Sequence, residues 1–235
     1  MSAAPRVEPW PGPGRAGRAK ATPRCRRCAM HLALCLCADL GEPLTLRTRV
    51  VVIRHLREGR KPTNTGRLVP LTLTRSEVRT RGAAGAQVET ADLPGPGRRA
   101  LLLYPSADAR PLTPEDGEAP VTLIVPDGTW RQARKVHARV PGLAAVPRVC
   151  LPPGPPSRYR LRSHRDPRFL ATFEAVARAL GILEGPPVQR ALERVFDLMV
   201  ERTLWSRGQL GGGRPTAGGL LTPRPAAQPG AEPAT

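Results

Sequence analysis

Aromatic side chains are scarce in this chain: three Phe, two Tyr and three Trp amount to 3% of its 235 residues. Acidic side chains are scarce as well, 19 against 37 Lys and Arg, leaving a formal net charge of +18. Self-repulsion of that size is easiest to understand with a polyanionic partner, and nucleic acid is the first candidate. Two alternatives stand beside it: an Arg-inflating composition that is also rich in Ala, Pro and Gly, and an acidic membrane surface. No stretch approaches the roughly 20 apolar residues that span a bilayer. No secretory signal is visible either, because Pro11 and Pro13 stand where its apolar core would lie. A cytoplasmic protein with reduced thiols is the expectation, which argues against disulfides.

What is present divides into two tails and a core. Residues 1–24 and 208–235 are rich in Pro, Gly and Ala with little apolar clustering, and such segments cannot bury enough surface to offset their ordering entropy. Both are expected to be disordered. The core reads as a cysteine knuckle at 25–40 and an α/β domain at 41–207. RVVVIRH at Arg49–His55, ALLLY at 100–104 and VTLIV at 121–125 are buried strands, the last two stopped by Pro105 and Pro126. A short fourth strand falls within 145–151, demoted by Pro147. Asn64-Thr65 offers an N-cap before the apolar segment 68–73. Residues 128–140 have helical character, Thr172 is a plausible N-cap for a helix stopped by Gly181, and 188–204 is amphipathic. Strands interleaved with helices predict a mostly parallel sheet flanked by helices.

Four of the five cysteines, Cys25, Cys28, Cys35 and Cys37, fall within thirteen residues. A CxxC turn places two thiolates on one side of a metal, and a second close pair completes the tetrahedral sulfur shell that Zn2+ accepts. Four protein ligands close such a site, so its role is structural. Two disulfides or an iron–sulfur cluster are the competing readings. Cys150 stands alone in an apolar strand and reads as a small buried hydrophobe.

A second constellation lies at the end of the third strand, where VTLIVP delivers Asp127-Gly128-Thr129-Trp130. The carboxyl edge of an open α/β sheet is where ligands bind, and a carboxylate there can serve as a general base. Trp130 can stack on a base or adenine, or exclude water from Asp127. The structural alternative is that Asp127 caps the next helix and Trp130 is core. Arg131, Arg134, Lys135 and Arg139 follow, either a phosphate-binding row or a solvated helix face.

These residues, taken in order, resemble the DTW-domain family of tRNA-uridine aminocarboxypropyltransferases. The resemblance is carried by the CxxC…CxC cluster, by His55-Leu-Arg-Glu58 with Asn64-Thr65-Gly66-Arg67-Leu68, by Asp127-Gly-Thr-Trp130, and by Ser157-Arg-Tyr-Arg-Leu-Arg162 with Leu170-Ala-Thr-Phe-Glu-Ala175. It spans roughly 25–200. Phe173 departs from the pattern, where relatives often carry Leu. The resemblance implies a SPOUT-like trefoil-knot domain, S-adenosylmethionine as donor, and N3 of a tRNA uridine as acceptor. No membrane and no stable protein partner are expected. Catalytic roles fall on Asp127 as base, with Thr129 and Trp130. Donor contacts are expected from Pro126, Asp127, Tyr159, Arg162, Thr172 and Glu174, with walls from Leu151 to Pro156 and from Tyr104 to Ser106. RNA contacts are expected from His55, Arg67, Arg131, Arg134, Lys135 and Arg158. The competing functions are a ribosomal-RNA aminocarboxypropyl- or methyltransferase of the same fold, and a non-catalytic zinc-knuckle RNA-binding protein.

Overall fold

The computed structural model describes residues 23–82, 88–161 and 169–209. The two expected tails therefore lie outside the described residues, apart from 23–24 and 208–209. Six strands form one wholly parallel sheet: β1 (Arg49–His55), β2 (Ser76–Arg81), β3 (Arg99–Leu103), β4 (Arg110–Pro111), β5 (Val121–Asp127) and β6 (Arg148–Cys150). Their spatial order is β2-β1-β5-β3-β6-β4. Two expectations change. β2 and β4 have no counterpart among the strands expected from the sequence. β5 does not stop at Pro126 but runs on to Asp127, because β1 still pairs with it there (Arg54 opposite Asp127). Pairing with β3 ends at Ile124, so one edge of β5 is open where the proline sits, and no ladder bond on that side is lost.

Side chains alternate across the sheet with the two-residue period of a strand. Val50, Val52, Leu101, Leu103, Leu123 and Val125 face one layer; Val51, Ile53, Leu102, Tyr104 and Ile124 face the other. Helix α1 (Leu56–Gly59) directly follows β1; the first layer is built by helices α2 (Val69–Thr72), α5 (Thr172–Glu184) and α6 (Pro186–Ser206) with the cysteine knuckle. The second layer holds the short helices α3 (Trp130–Ala133) and α4 (Val136–Arg139). Each fully buried aliphatic side chain contributes about 1.5–3 kcal/mol. The α5–α6 layer, with Phe173, Val176, Leu180, Leu192 and Phe196 buried, therefore dominates the core.

Gly181 does not stop α5. A Cβ there would collide with the Gln189 side chain, so this glycine marks a close crossing with α6. The break falls at Gly185, whose φ of +105° is reached easily only without a side chain, followed by Pro186 and Pro187 in the first turn of α6. Among the described residues no helix is long and apolar enough to cross a membrane.

The connectivity positions the site. β1 leads outward to β2 on one side of the sheet, while β5 leads past β3 to β6 on the other. Adjacent strands whose connections leave in opposite directions open a crevice at their carboxyl ends. Asp127 is the last residue of β5 at that crevice.

Candidate active site

Asp127 is 5% exposed and both of its oxygens are engaged. Asn64 Nδ2 donates to Oδ2 at 2.6 Å, and Thr172 Oγ1 donates to Oδ1 at 2.6 Å. Burial pushes its pKa above the usual carboxylate range, against the opposing pull of those two donors. Asn64 sits in the turn before α2 and Thr172 opens α5, so two distant segments converge on one carboxylate. Gly66 makes the approach possible: a Cβ there would lie 2.8 Å from Asp127 Oδ2. Thr172 is therefore the first residue of α5 and not its cap. Ala171 occupies the cap position, and its N–H donates to Glu174 at 3.4 Å.

Nor does Asp127 cap the helix after it. Thr129 does, its hydroxyl accepting from Gln132 N while Gln132 Oε1 accepts from Thr129 N at 2.8 Å. That frees the acid to face a cavity of about 210 Å3 lined by Glu58, the 63–65 turn, Leu103, Tyr104, Val125, residues 126–130, Ala133, Tyr159, 170–172 and Ala175. Among the described residues that line it, Glu58 and Asp127 are the only charged ones, and no Arg, Lys or His takes part. Lys61 pairs with the buried Glu58 from outside the cavity.

The remaining expected residues separate into three groups. Pro126, Thr129, Trp130, Tyr159 and Thr172 line the cavity with Asp127; Tyr159 is fixed by donating its hydroxyl to Thr63 O at 2.7 Å. Of the expected walls, Tyr104 and Pro126 line it and residues 151–156 do not. Glu174 is buried outside the lining, accepting from Ser157 Oγ (2.6 Å) and Arg158 N (2.8 Å) and pairing with Arg178 (3.2 Å), so it ties the 157–158 loop to α5. Arg162 lies outside the described residues.

Of the expected RNA contacts, Arg131 and Arg134 line an adjoining cleft. Lys135 has its pKa lowered chiefly by Arg139, then by burial and by Arg131 and Arg134, which marks a crowded cationic surface. Arg67 turns inward and donates to the carbonyls of Asn64 (3.0 Å) and Lys61. His55 caps α1, its Nδ1 accepting from Arg57 N at 3.2 Å. Arg158 pairs with Glu193 and Asp197 of α6. Phe169, whose ring stacks on Trp130, lies outside every motif read from the sequence; Glu58, Asn64 and Gly66 stand within those motifs, but nothing in the sequence shows that Asn64 and Gly66 meet Asp127.

At the knuckle the four Sγ atoms lie within 4.8 Å of one another, with Cys25–Cys37 and Cys28–Cys35 each at 3.7 Å. A tetrahedral shell of Zn–S bonds of about 2.3 Å has edges of about 3.8 Å, so the spacing fits a single such ion. Arg202 of α6 donates to Cys35 O at 2.6 Å and pairs with Asp39 at 2.8 Å, and Cys28, Met30, Leu34 and Leu36 share the main core. The knuckle is thus welded to the sheet domain. Cys150 is half-buried and faces Ala109 O at 3.8 Å.

Fold and site together define a parallel α/β ligand-binding domain whose buried acid stands at the sheet's switch point beside an aromatic. The chain belongs to the DTW-domain family: the family's model, DTW domain, matches residues 22–204. It is 30% identical over 178 residues to the tRNA-uridine aminocarboxypropyltransferase 2 of Drosophila melanogaster, covering 71% of this chain and 69% of the relative. It is 32% identical over 173 residues to that of Macaca fascicularis, covering 71% of this chain and 58% of the relative. The solved structure of the SAM-dependent rRNA:acp-transferase Tsr3 from Vulcanisaeta distributa overlays with a TM-score of 0.44 and 22% identity, over 69% of this chain and 85% of that one. That overlay is too loose to transfer detail.

Proposed function

We propose that this chain transfers the 3-amino-3-carboxypropyl group of S-adenosylmethionine to N3 of a uridine in tRNA, releasing 5′-methylthioadenosine. The observation that carries the reading is the sign of the cavity at the β1–β5 crevice: among the described residues, two buried carboxylates and no cation line it. A chamber of that sign favours a cationic ligand and disfavours a phosphate. The names of the Drosophila and macaque relatives support the acceptor and the group transferred.

When bound, S-adenosylmethionine would supply the electrophile, a sulfonium with three carbon substituents. Which carbon reacts depends on what the walls hold. Leu103, Val125, Leu170, Ala171 and Ala175 offer apolar surface for adenosine and methyl, which leaves the longer arm to face the acceptor. Asp127, its pKa raised and its orientation fixed by Asn64 and Thr172, accepts the imide proton of uridine N3. As N3 bonds to the arm's terminal carbon, the carbon–sulfur bond breaks and its electron pair stays on the departing thioether. The proton on Asp127 then passes to solvent. Because N3 lies on the Watson–Crick edge, the target uridine is unpaired and turned out of any stem.

Zn2+ bound by Cys25, Cys28, Cys35 and Cys37 belongs to the same proposal, as does a cytoplasmic setting; all five cysteines are free. With four protein ligands the ion would hold the knuckle and take no part in transfer. The trefoil knot is also carried as a proposal. Its support is the close seating of the stretch after β6 on the turn before α2, through Tyr159 to Thr63 and Phe173 N to Thr65 Oγ1 (3.2 Å). The test is to incubate the protein with unmodified tRNA and donor labelled in its longer arm, then digest to nucleosides for mass spectrometry. A uridine carrying the aminocarboxypropyl mass is expected; a methyl adduct, or unmodified uridine, contradicts the proposal.

A further inference from the structure

One cleft is not used by the transfer chemistry. It measures about 580 Å3, adjoins the Asp127 cavity along Tyr104 and Trp130, and is lined by Tyr104, Pro105, Trp130, Arg131, Arg134 and Phe169. Of only eight aromatic side chains in the chain, three meet there. The Trp130 and Phe169 rings are stacked, centroids 4.2 Å apart and planes 27° from parallel; Tyr104 is tilted 42° to Trp130 at 6.1 Å.

We propose that this cleft is the acceptor-base subsite. An unpaired uridine stacks on the Trp130–Phe169 pair between the walls of Tyr104 and Pro105, while Arg131 and Arg134 hold the phosphates beside it. The inference deepens the proposed function and rests on it for what occupies the other chamber. Three observations carry it. Among the described residues the two chambers divide by charge: the one at Asp127 is lined by carboxylates without cations, and this one by cations without carboxylates. A sulfonium and a polyanion would sort themselves accordingly. Stacking on aromatic rings together with cations along the backbone is the physical means by which unpaired nucleic acid is held. Trp130 and Tyr104 line both chambers, so a base held at this shared wall can turn its N3 edge toward Asp127 and the donor. Phe169 also stands three residues before Thr172, whose hydroxyl holds Asp127, so the stacking platform and the base-orienting donor belong to one short segment.

The experiment measures two affinities of the full chain: for a fluorescent oligouridylate at fixed salt by anisotropy, and for S-adenosylmethionine by calorimetry. Phe169→Ala is expected to weaken oligouridylate binding about tenfold. Phe169→Tyr, which keeps a stacking ring, is expected to restore it. Both variants should hold the donor within twofold of the parent, since Phe169 does not line the donor chamber. In turnover, Phe169→Ala should raise KM for tRNA and leave kcat nearly unchanged. The proposal is overturned if Phe169→Ala binds oligouridylate as the parent does, or if it loses donor and oligouridylate affinity in equal measure. A parent protein that makes no aminocarboxypropyl product, yet loses oligouridylate affinity on Phe169→Ala, would sink the transferase reading and leave the subsite standing.

Discussion

Gly66→Ala is the smallest change that reaches Asp127. The new methyl would stand 2.8 Å from Asp127 Oδ2 and 3.0 Å from its Cγ, where ordinary contact begins at 3.4 Å. Relief requires the carboxylate to move by about 0.6 Å, yet it is held by two 2.6 Å hydrogen bonds and has no long flexible stem. One of those bonds must stretch or break. A hydrogen bond to a charged group contributes about 1.5–3 kcal/mol. The reduced freedom of the unfolded chain returns about 0.4–1 kcal/mol. The net expectation is a loss of about 1–2 kcal/mol, which is a fall in Tm of about 5 °C for a domain of this size. Activity should suffer more than stability, because a misplacement of about 1 Å at a reacting group costs on the order of 100-fold. We expect kcat to fall roughly 10- to 100-fold. Thermal unfolding and nucleoside mass spectrometry of the product, run on the same preparation, read both quantities. A Gly66→Ala protein with parental Tm and kcat within twofold of the parent would refute the reasoning.

Other outcomes follow from the same geometry. For the proposed zinc, a chelator or Cys28→Ser should lower Tm by several degrees and release one equivalent of the ion by elemental analysis, because the knuckle shares the main core; an unchanged melting curve would contradict that proposal. Glu174→Ala should destabilise the fold by about 2–4 kcal/mol, since it removes the acceptor of Ser157 and of Arg158 N and strands Arg178; loss of donor binding without loss of Tm would show that Glu174 contacts the donor instead. For Asp127 the folded-state pKa is raised by burial, so its contribution to stability is present at low pH and lost as pH rises through that raised value. Asp127→Asn should therefore gain stability relative to the parent as pH increases, as chemical denaturation across a pH series would show, and a constant difference would count against the burial argument.

The parts of the fold legible in the sequence are those whose signal is local. RVVVIRH, ALLLY and VTLIV read as strands because both faces of a parallel sheet are covered, which leaves continuous apolar runs. Nothing in SEVRTR announces β2: every residue is half-buried, the strand lies at the sheet edge, and only the open side of β1 makes it pair. β4 is two exposed residues held by β6. The same division holds at the site. Asp127 is visible because a hydrophobic strand ends on it, whereas its two partners stand 63 and 45 residues away and are brought to it by tertiary packing. Charge alone does not sort the arginines. Arg67 and Arg158 spend their guanidinium groups on internal partners, while Arg131 and Arg134 line an open cleft, a difference set by backbone direction and not by composition. Phe169 stands just before the Leu170–Ala175 motif and outside it, and its meaning comes only from lying on Trp130.

The most direct test compares Asp127→Asn with the parent across pH, in single turnover with saturating donor and tRNA and with donor affinity measured separately. The account predicts a loss of about 100- to 10,000-fold in the rate of aminocarboxypropyluridine formation, disappearance of the acidic limb seen in the parent, and donor affinity that falls far less than the rate. Formation of the same product at the parental rate and with the parental pH profile would contradict it.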